Sequence, residues 1–337
     1  MFFIGSNDLI DTTGVAICSI LDNTKSFIEF YILDIDVSKN NKKHLYDIKN
    51  KFDNFSIEFI KCDTAVFEGC NNWRGYLDCW TRFLFMDLKP NIRRAIYLDS
   101  DVILYDDILK LWNENIGDYV IGAVPDIGIG IHRKNTYLWD NKNIALSETH
   151  KQINSGVLLI NCEKWKQQNL TEKIISIGKK FNKSLLLPDQ DALQILFTDN
   201  YKELNYRYNF QERVNYTDYS DEYLENEFDN IIIEHFCYKP WKETNNWKKG
   251  EKMMSGFNEW WYYASMTHFY HGLRNKFIKN SYDFYLRKIE NVVQHNNNYL
   301  YKAIKKKHRH YFIILYVLVS VLIFLIILRQ FLIGANL

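Results

Sequence analysis

The sequence predicts an α/β fold in which helices pack on the faces of a central sheet. Three observations point there. Short apolar runs alternate with amphipathic stretches through the first half of the chain. Several of those runs, RAIYL and SGVLLIN among them, are apolar at every position, as strands buried on both faces are. An acidic triplet follows one of them directly, where ligands sit beyond the carboxyl ends of strands in open α/β sheets.

Taken in order, FFIG opens the chain as a short strand, and 12–21 is a helix with Ala16, Ile17, Ile20 and Leu21 on its apolar side. A strand over 27–33, a helix over 39–51 and a strand over 55–60 follow. A helical stretch from about 76 to 88 leads into the strand at 94–98, and DYVIGAVPD at 118–126 is the next strand. SGVLLIN at 155–161 precedes a helix over 162–179, a second helix begins at Pro188, and IIIEHF at 231–236 is a late strand ending in a polar cluster. Beyond Trp241 the pattern changes: 251–269 is rich in Trp and Tyr, and 277–301 reads as a basic helix. There are no internal repeats. The expected division is a catalytic domain over 1–250, an aromatic and basic helical segment over 251–310, and a transmembrane helix over 311–328.

Composition bounds the function. All 337 residues together carry a formal net charge of +1, which excludes a strongly basic or acidic whole. From Gly272 to His310, however, ten Lys or Arg face only Asp283 and Glu290, directly ahead of the uncharged run YFIILYVLVSVLIFLIIL at 311–328. About 20 apolar residues span a bilayer and about 17 is the lower limit. The run therefore reads as a single-pass C-terminal anchor. The KKKHRH cluster before it would put the globular part at the cytoplasmic face of the inner (plasma) membrane, against anionic lipid. A buried C-terminal helix is the alternative, although few stay apolar on every side for so long. The N-terminus has no basic n-region and no long apolar core, so it does not read as a signal peptide. Six scattered cysteines without a CxxC pair argue against structural disulfides or a structural zinc site. Positive charge gathered in one segment and not across a face gives little support to nucleic-acid binding.

The chemistry concentrates in a few places. In RRAIYLDSDVILYDD, Asp99 and Asp101 stand two residues apart just past a strand, where both carboxylates can converge on a hard cation such as Mg²⁺ or Mn²⁺. An Asp pair after a strand also makes a good turn, so spacing alone leaves both readings open. Asn154 precedes SGVLLIN, and Asp189 and Gln190 open the helix that starts at Pro188. Asp there is also a good helix cap, but capping does not call for the Gln. Near a sugar, these three can bond hydroxyls. His235 ends a strand ahead of Lys239-Pro240-Trp241; an imidazole can complete an O/O/N metal set and a lysine can hold a phosphate. An ordinary strand-end histidine is the competing reading. Arg82 is either an anion-facing arginine or one lying over apolar neighbours, and Asn7 and Asp8 follow the first strand closely enough to meet a base or ribose.

YLDSDV, then INSGVLLIN, then PDQDAL, then HF followed by KPW, in that order, resemble glycosyltransferase family 8, the family of bacterial lipopolysaccharide galactosyl- and glucosyltransferases and of glycogenin. The resemblance runs from about Phe3 to Trp241. It implies a GT-A, Rossmann-like nucleotide-sugar-binding fold with a mixed central sheet. It also implies a UDP-sugar donor, Mn²⁺ or Mg²⁺ as cofactor, and transfer with retention of configuration. By the same resemblance Asp99, Asp101 and His235 hold the metal. Asn154, Asp189 and Gln190 surround the donor sugar, with Gln190 near the anomeric carbon. Lys239 contacts the diphosphate, Arg82 lies near the donor, and Asn7 and Asp8 fall where uridine is bound. One departure stands out: HFCYKPW lacks the glycine and the extra residues usual before the lysine, which leaves the exact phosphate contacts, the role of Lys239 among them, open. The anchor and the basic segment before it suggest an acceptor held at the cytoplasmic membrane face, a lipid-linked or lipopolysaccharide-core glycan. A nucleotide-sugar hydrolase and an inactive sugar-nucleotide-binding or scaffold protein are the competing functions.

Overall fold

The structure is a computed structural model that describes residues 1–73, 75–126, 151–183, 185–198, 200–211, 226–236, 239–241 and 256–283. The chain divides into two compact units, Met1–Phe277 and Ile278–Leu337. All the secondary structure set out below belongs to the first.

Strands β1 (Phe2–Gly5), β2 (Ile28–Asp34) and β3 (Phe55–Lys61) alternate with helices α1 (Ile10–Asn23) and α2 (Lys39–Tyr46), close to the expected boundaries. Next come β4 (Arg94–Leu98), β5 (Val102–Leu104), β6 (Ile121–Pro125) and β7 (Ile153–Asn161). The short strands β8 (Lys202–Glu203), β9 (Phe210–Gln211) and β10 (Ile233–His235) complete the set. A seven-stranded sheet runs β3-β2-β1-β4-β7-β6-β8, and β5-β10-β9 form a second, three-stranded one. In the large sheet β3, β2, β1 and β4 are parallel, and β7 runs antiparallel to both β4 and β6. The sheet is mixed.

Alternation along each strand explains why the runs are apolar throughout. In β7, Val157 and Leu159 enter one core while Leu158 and Ile160 enter the other. The same split divides Phe3 from Phe2 and Ile4 in β1, and Ile96 and Leu98 from Ala95 and Tyr97 in β4. Successive side chains point to opposite faces, so a strand covered on both sides needs apolar residues at both parities. That composition reports burial and not direction: β7 has it and is antiparallel.

Two helical expectations divide. The 76–88 stretch is a 3₁₀ segment, Asp78–Leu84, followed by the one-turn α3 (Phe85–Leu88). There the Thr81 hydroxyl donates to the Asp78 carbonyl at 2.7 Å and Arg82 Nε to the Cys79 carbonyl at 3.0 Å, side-chain bonds that hold the tighter i, i+3 spacing. After a four-residue α4 (Leu109–Trp112), the 162–179 helix is two, α5 (Cys162–Gln167) and α6 (Leu170–Lys180). Between them Asn169 takes a left-handed conformation at φ 52°, which asparagine tolerates better than most residues. Helix α7 (Pro188–Phe197) begins on its proline, where the missing N–H costs nothing.

The Trp- and Tyr-rich region carries α8 (Phe257–Ser265), which packs into the same core as α1. Trp260 stacks on Trp241 with ring centroids 4.8 Å apart, and Gly14 of α1 leaves the space that Phe269 fills.

The expectation of a single-pass C-terminal anchor at the cytoplasmic face of the inner membrane is corrected. Among the described residues no helix is long and apolar enough to cross a membrane. The 311–328 run lies outside the described residues, as does most of the basic segment before it. Its apolar composition is all that spoke for an anchor, and at 18 residues it sits close to the lower limit for spanning.

Leu159 is fully buried in β7. Leu159→Ala is expected to cost about 2–5 kcal/mol of unfolding free energy in urea titration. A loss below about 1 kcal/mol would contradict the close packing of that face.

Candidate active site

Four chain segments end at one edge of the large sheet. β1, β4 and β6 deliver their carboxyl ends there; β7, running the other way, delivers its amino end. The register places Leu98 opposite Val157, so Asp99 follows alongside Gly156, and its N–H donates to the Gly156 carbonyl at 2.8 Å. The second sheet brings the late histidine in. β10 pairs His235 with Val102, and the Phe236 N–H donates to the Asp101 carbonyl at 2.9 Å. Asp99, Asp101 and His235 thus converge although 134 positions separate Asp101 from His235 in the chain.

Their donor atoms lie within 4.8 Å of one another. His235 Nε2 is 3.2 Å from Asp101 Oδ1 and 3.8 Å from Asp99 Oδ2. The room comes from Gly156: a Cβ there would stand 2.3 Å from His235 Cε1 and 3.0 Å from Asp99 Oδ2. Two carboxylates and an imidazole facing one point suit a hard or borderline divalent cation such as Mg²⁺ or Mn²⁺. The residues present fit such an ion.

Beside this cluster is a buried guanidinium. Arg82 is 5% exposed; its Nη2 lies 3.2 Å from Asp99 Oδ1 and 3.3 Å from Asp189 Oδ2, and its Nη1 donates to the Ser155 carbonyl at 2.7 Å. It also lies over the Tyr97 ring, 4.2 Å from the centroid. Burial works against its charge, but Asp189, Tyr97 and Asp99 outweigh it and raise the Arg82 pKa. Burial likewise works against the Asp99 carboxylate; Arg82, His235 and the Tyr97 hydroxyl, which donates at 2.5 Å, bring its pKa below the ordinary value. His235 is pushed down, chiefly by burial, against the pull of Asp99 and Asp126, so the neutral ring that ligates metals is the favoured form.

The expected sugar-side residues form one hydrogen-bonded group. The Ser155 hydroxyl donates to Asp189 Oδ2 at 2.9 Å, and the Ser155 N–H donates to Gln190 Oε1 at 3.1 Å. Gln190 Nε2 and Asn154 Nδ2 both donate to Asp126 Oδ2, at 3.0 and 3.1 Å. Lys239 pairs with Asp101 Oδ2 and donates to the Phe236 carbonyl at 2.7 Å, so its ammonium sits beside one of the metal-ligand candidates. Asn7 braces the neighbouring loop. Its amide donates to the Asp36 carbonyl at 2.7 Å and accepts from Ser38 and Asn41. Asp8 is exposed nearby, and Asp78 is raised by burial and by the charges of Asp36 and Asp8.

Sequence reading missed Tyr97, Asp126, Ser155, Gly156 and Asn209. Asp126 carried a signal, an acid closing a strand as Asp99 does, and Gly156 another, a lone glycine inside a strong strand. Asn209 carried none.

Residues 1–245 match the family described as Glycosyl transferase family 8. The chain belongs to this family. It is 31% identical over 230 residues to General stress protein A of Bacillus subtilis, covering 64% of this chain and 77% of that protein. It is 31% identical over 199 residues to a putative glycosyltransferase of Haemophilus influenzae, covering 58% of each. Among solved structures, the galactosyltransferase LgtC in complex with donor and acceptor sugar analogs aligns with a TM-score of 0.65 at 24% identity, over 79% of this chain and 95% of that one. GlyE of Streptococcus pneumoniae aligns with a TM-score of 0.53 at 21% identity, over 78% of this chain and 60% of that one. These two structural likenesses establish the GT-A-type α/β fold. The family 8 chain is a glycosyltransferase, moving sugar from a nucleotide donor to a glycan acceptor.

Gly156→Ala tests the space behind the histidine. The added methyl displaces His235 or Asp99, so Mn²⁺ binding followed by electron paramagnetic resonance is expected to weaken roughly 10–100-fold while the circular dichroism spectrum is kept. Unchanged Mn²⁺ binding would mean that the close approach is not part of the site.

Proposed function

We propose that the chain transfers a hexose, galactose or glucose, from a UDP-sugar with retention of configuration, aided by Mn²⁺ or Mg²⁺. The single observation behind this reading is the meeting of Asp99, Asp101 and His235 next to the Asn154, Asp189 and Gln190 group. The acceptor proposed is a glycan of the lipopolysaccharide-core type, supported by the resemblance to the transferases of that pathway.

Asp99, Asp101 and His235 would hold the cation, which when bound supplies positive charge to the donor diphosphate and the departing UDP. Lys239, already at Asp101, adds a second positive charge at the same end. Arg82 lies between Asp189 and Asp99 and offsets their mutual repulsion, so the Asp189 carboxylate is held in place to accept donor-sugar hydroxyls. Gln190 is fixed at both ends of its amide, by the Ser155 N–H and by Asp126. Its remaining amide hydrogen and carbonyl lone pair can orient a sugar without the group being free to swing. An amide held in that way suits a positioning role better than a covalent one, which favours entry of the acceptor hydroxyl on the face the UDP leaves. Positioning of reactants and stabilisation of leaving-group charge then account for the rate.

Asp101→Asn removes a carboxylate from the cluster without changing its size. UDP release from a panel of UDP-hexoses, with and without Mn²⁺, is expected to fall at least about 100-fold in the variant while thermal unfolding moves little. Wild-type turnover by Asp101→Asn at limiting Mn²⁺ would refute the metal role. Silence of the wild type across the panel would refute the UDP-hexose donor.

A further inference from the structure

Three groups on the far side of His235 form a chain whose polarity is set by the Gly156 N–H and the Asp126 carboxylate. His235 Nδ1 lies 3.0 Å from Asn209 Oδ1, Asn209 Nδ2 lies 2.9 Å from Asn154 Oδ1, and Asn154 Nδ2 lies 3.1 Å from Asp126 Oδ2. Asn209 is fully buried, and Asn154 and Asp126 are 7% and 8% exposed. An amide side chain can be turned end for end, so each orientation has to follow from its neighbours.

Here it does. The Gly156 backbone N–H, which can only donate, reaches Asn154 at 2.9 Å, so the atom facing it is the oxygen. The other end of the Asn154 amide, its NH₂, then meets the Asp126 carboxylate, an acceptor. With the Asn154 oxygen turned toward Asn209, Asn209 must present its NH₂ there and its own oxygen to His235. That oxygen accepts and cannot donate. Asp101 and Asp99, which face Nε2 at 3.2 and 3.8 Å, also accept, but Lys239 already donates to the first and Arg82 and Tyr97 to the second, so the neutral imidazole carries its proton on Nδ1 and its lone pair on Nε2.

We infer that Asn209 is a positioning residue for the metal site, fixing His235 as the Nδ1–H tautomer through the Asn209–Asn154–Asp126 chain. The inference rests on the metal reading proposed above. A ligating histidine commonly gives its other ring N–H to an acceptor, which fixes the ring and raises its basicity. In this chain the acceptor is an amide whose oxygen is oriented by a carboxylate two links away. Asp126 also accepts from Gln190, so the carboxylate that ends the chain to the metal histidine also fixes the sugar-side amide. Loss of Asn209 would leave Nδ1 without its acceptor and free the ring to take the other tautomer, which turns a hydrogen toward the cation.

The test compares Mn²⁺ affinity by electron paramagnetic resonance in the wild type, Asn209→Leu and Asn209→Asp, with Asp101→Asn as the control for binding at this site. Asn209→Leu keeps the side-chain shape and is expected to weaken Mn²⁺ binding roughly 10–100-fold. Asn209→Asp keeps an oxygen opposite Nδ1 but sets a second oxygen against Asn154 Oδ1, so it is expected to recover only part of that loss. Wild-type affinity in Asn209→Leu would overturn the inference. Should the leucine variant fail to fold, long-range ¹⁵N–¹H spectra of metal-free wild type at alkaline pH decide the matter. Neutral His235 is expected as Nδ1–H, and Nε2–H would overturn the inference. That spectrum needs no metal, so it separates the two claims. A wild type that binds neither Mn²⁺ nor Mg²⁺ but shows Nδ1–H would sink the metal reading and leave the tautomer chain standing.

Discussion

Arg82 carries the charge balance on which the rest of the site depends. Asp99 comes from the end of β4 and Asp189 from the start of α7, and the Ser155 carbonyl belongs to β7. One guanidinium meets all three. Without it two carboxylates would sit in poorly solvated positions with little to offset their charge, a situation that protonation or local unfolding relieves. With it, their charge is offset, and the strand ends and helix start are held in fixed relation. A planar fork with several donors in set directions suits this role, which a single ammonium could not duplicate.

From that fixed point the two halves of the site separate by chemistry. On one side Asp99 and Asp101 share a tight space with His235, opened by the missing side chain at Gly156. On the other, Ser155, Asp189, Gln190 and Asp126 bond one another through neutral or singly charged contacts. The first side gathers negative charge that calls for a cation; the second offers hydroxyl-sized hydrogen-bonding partners. A nucleotide sugar has the matching division, an anionic diphosphate joined to a polyol. Buried polar networks of this kind hold their members in place because an unpaired partner is costly.

How much of this could be read from the sequence depended on whether a signal was local. Asp99, Asp101, Asp189 and Gln190 stand at strand or helix ends within short motifs, and the alternating pattern located most strands within a residue or two. Direction was not legible: β7 looks like a parallel strand because it is buried on both faces, and only its pairing shows that it is antiparallel. The 3₁₀ geometry of 78–84 was also hidden, since it comes from side chains bonding back to nearby carbonyls. Asn209 had no signal at all. It precedes a two-residue strand, and its importance arises from β9 lying beside β10, a contact between distant segments. The apolar C-terminal run shows the opposite error: a strong local pattern supported a membrane anchor for which the described residues offer no spanning helix.

The central claim is that one cation, held by residues from two sheets, joins this chain to a uridine diphosphate. Calorimetric titration with UDP, once in Mn²⁺ and once in a chelator, tests it most directly. The account predicts UDP binding in Mn²⁺ that weakens at least about tenfold when the ion is removed, a difference of roughly 1.4 kcal/mol. Equal affinity in the two titrations would contradict it.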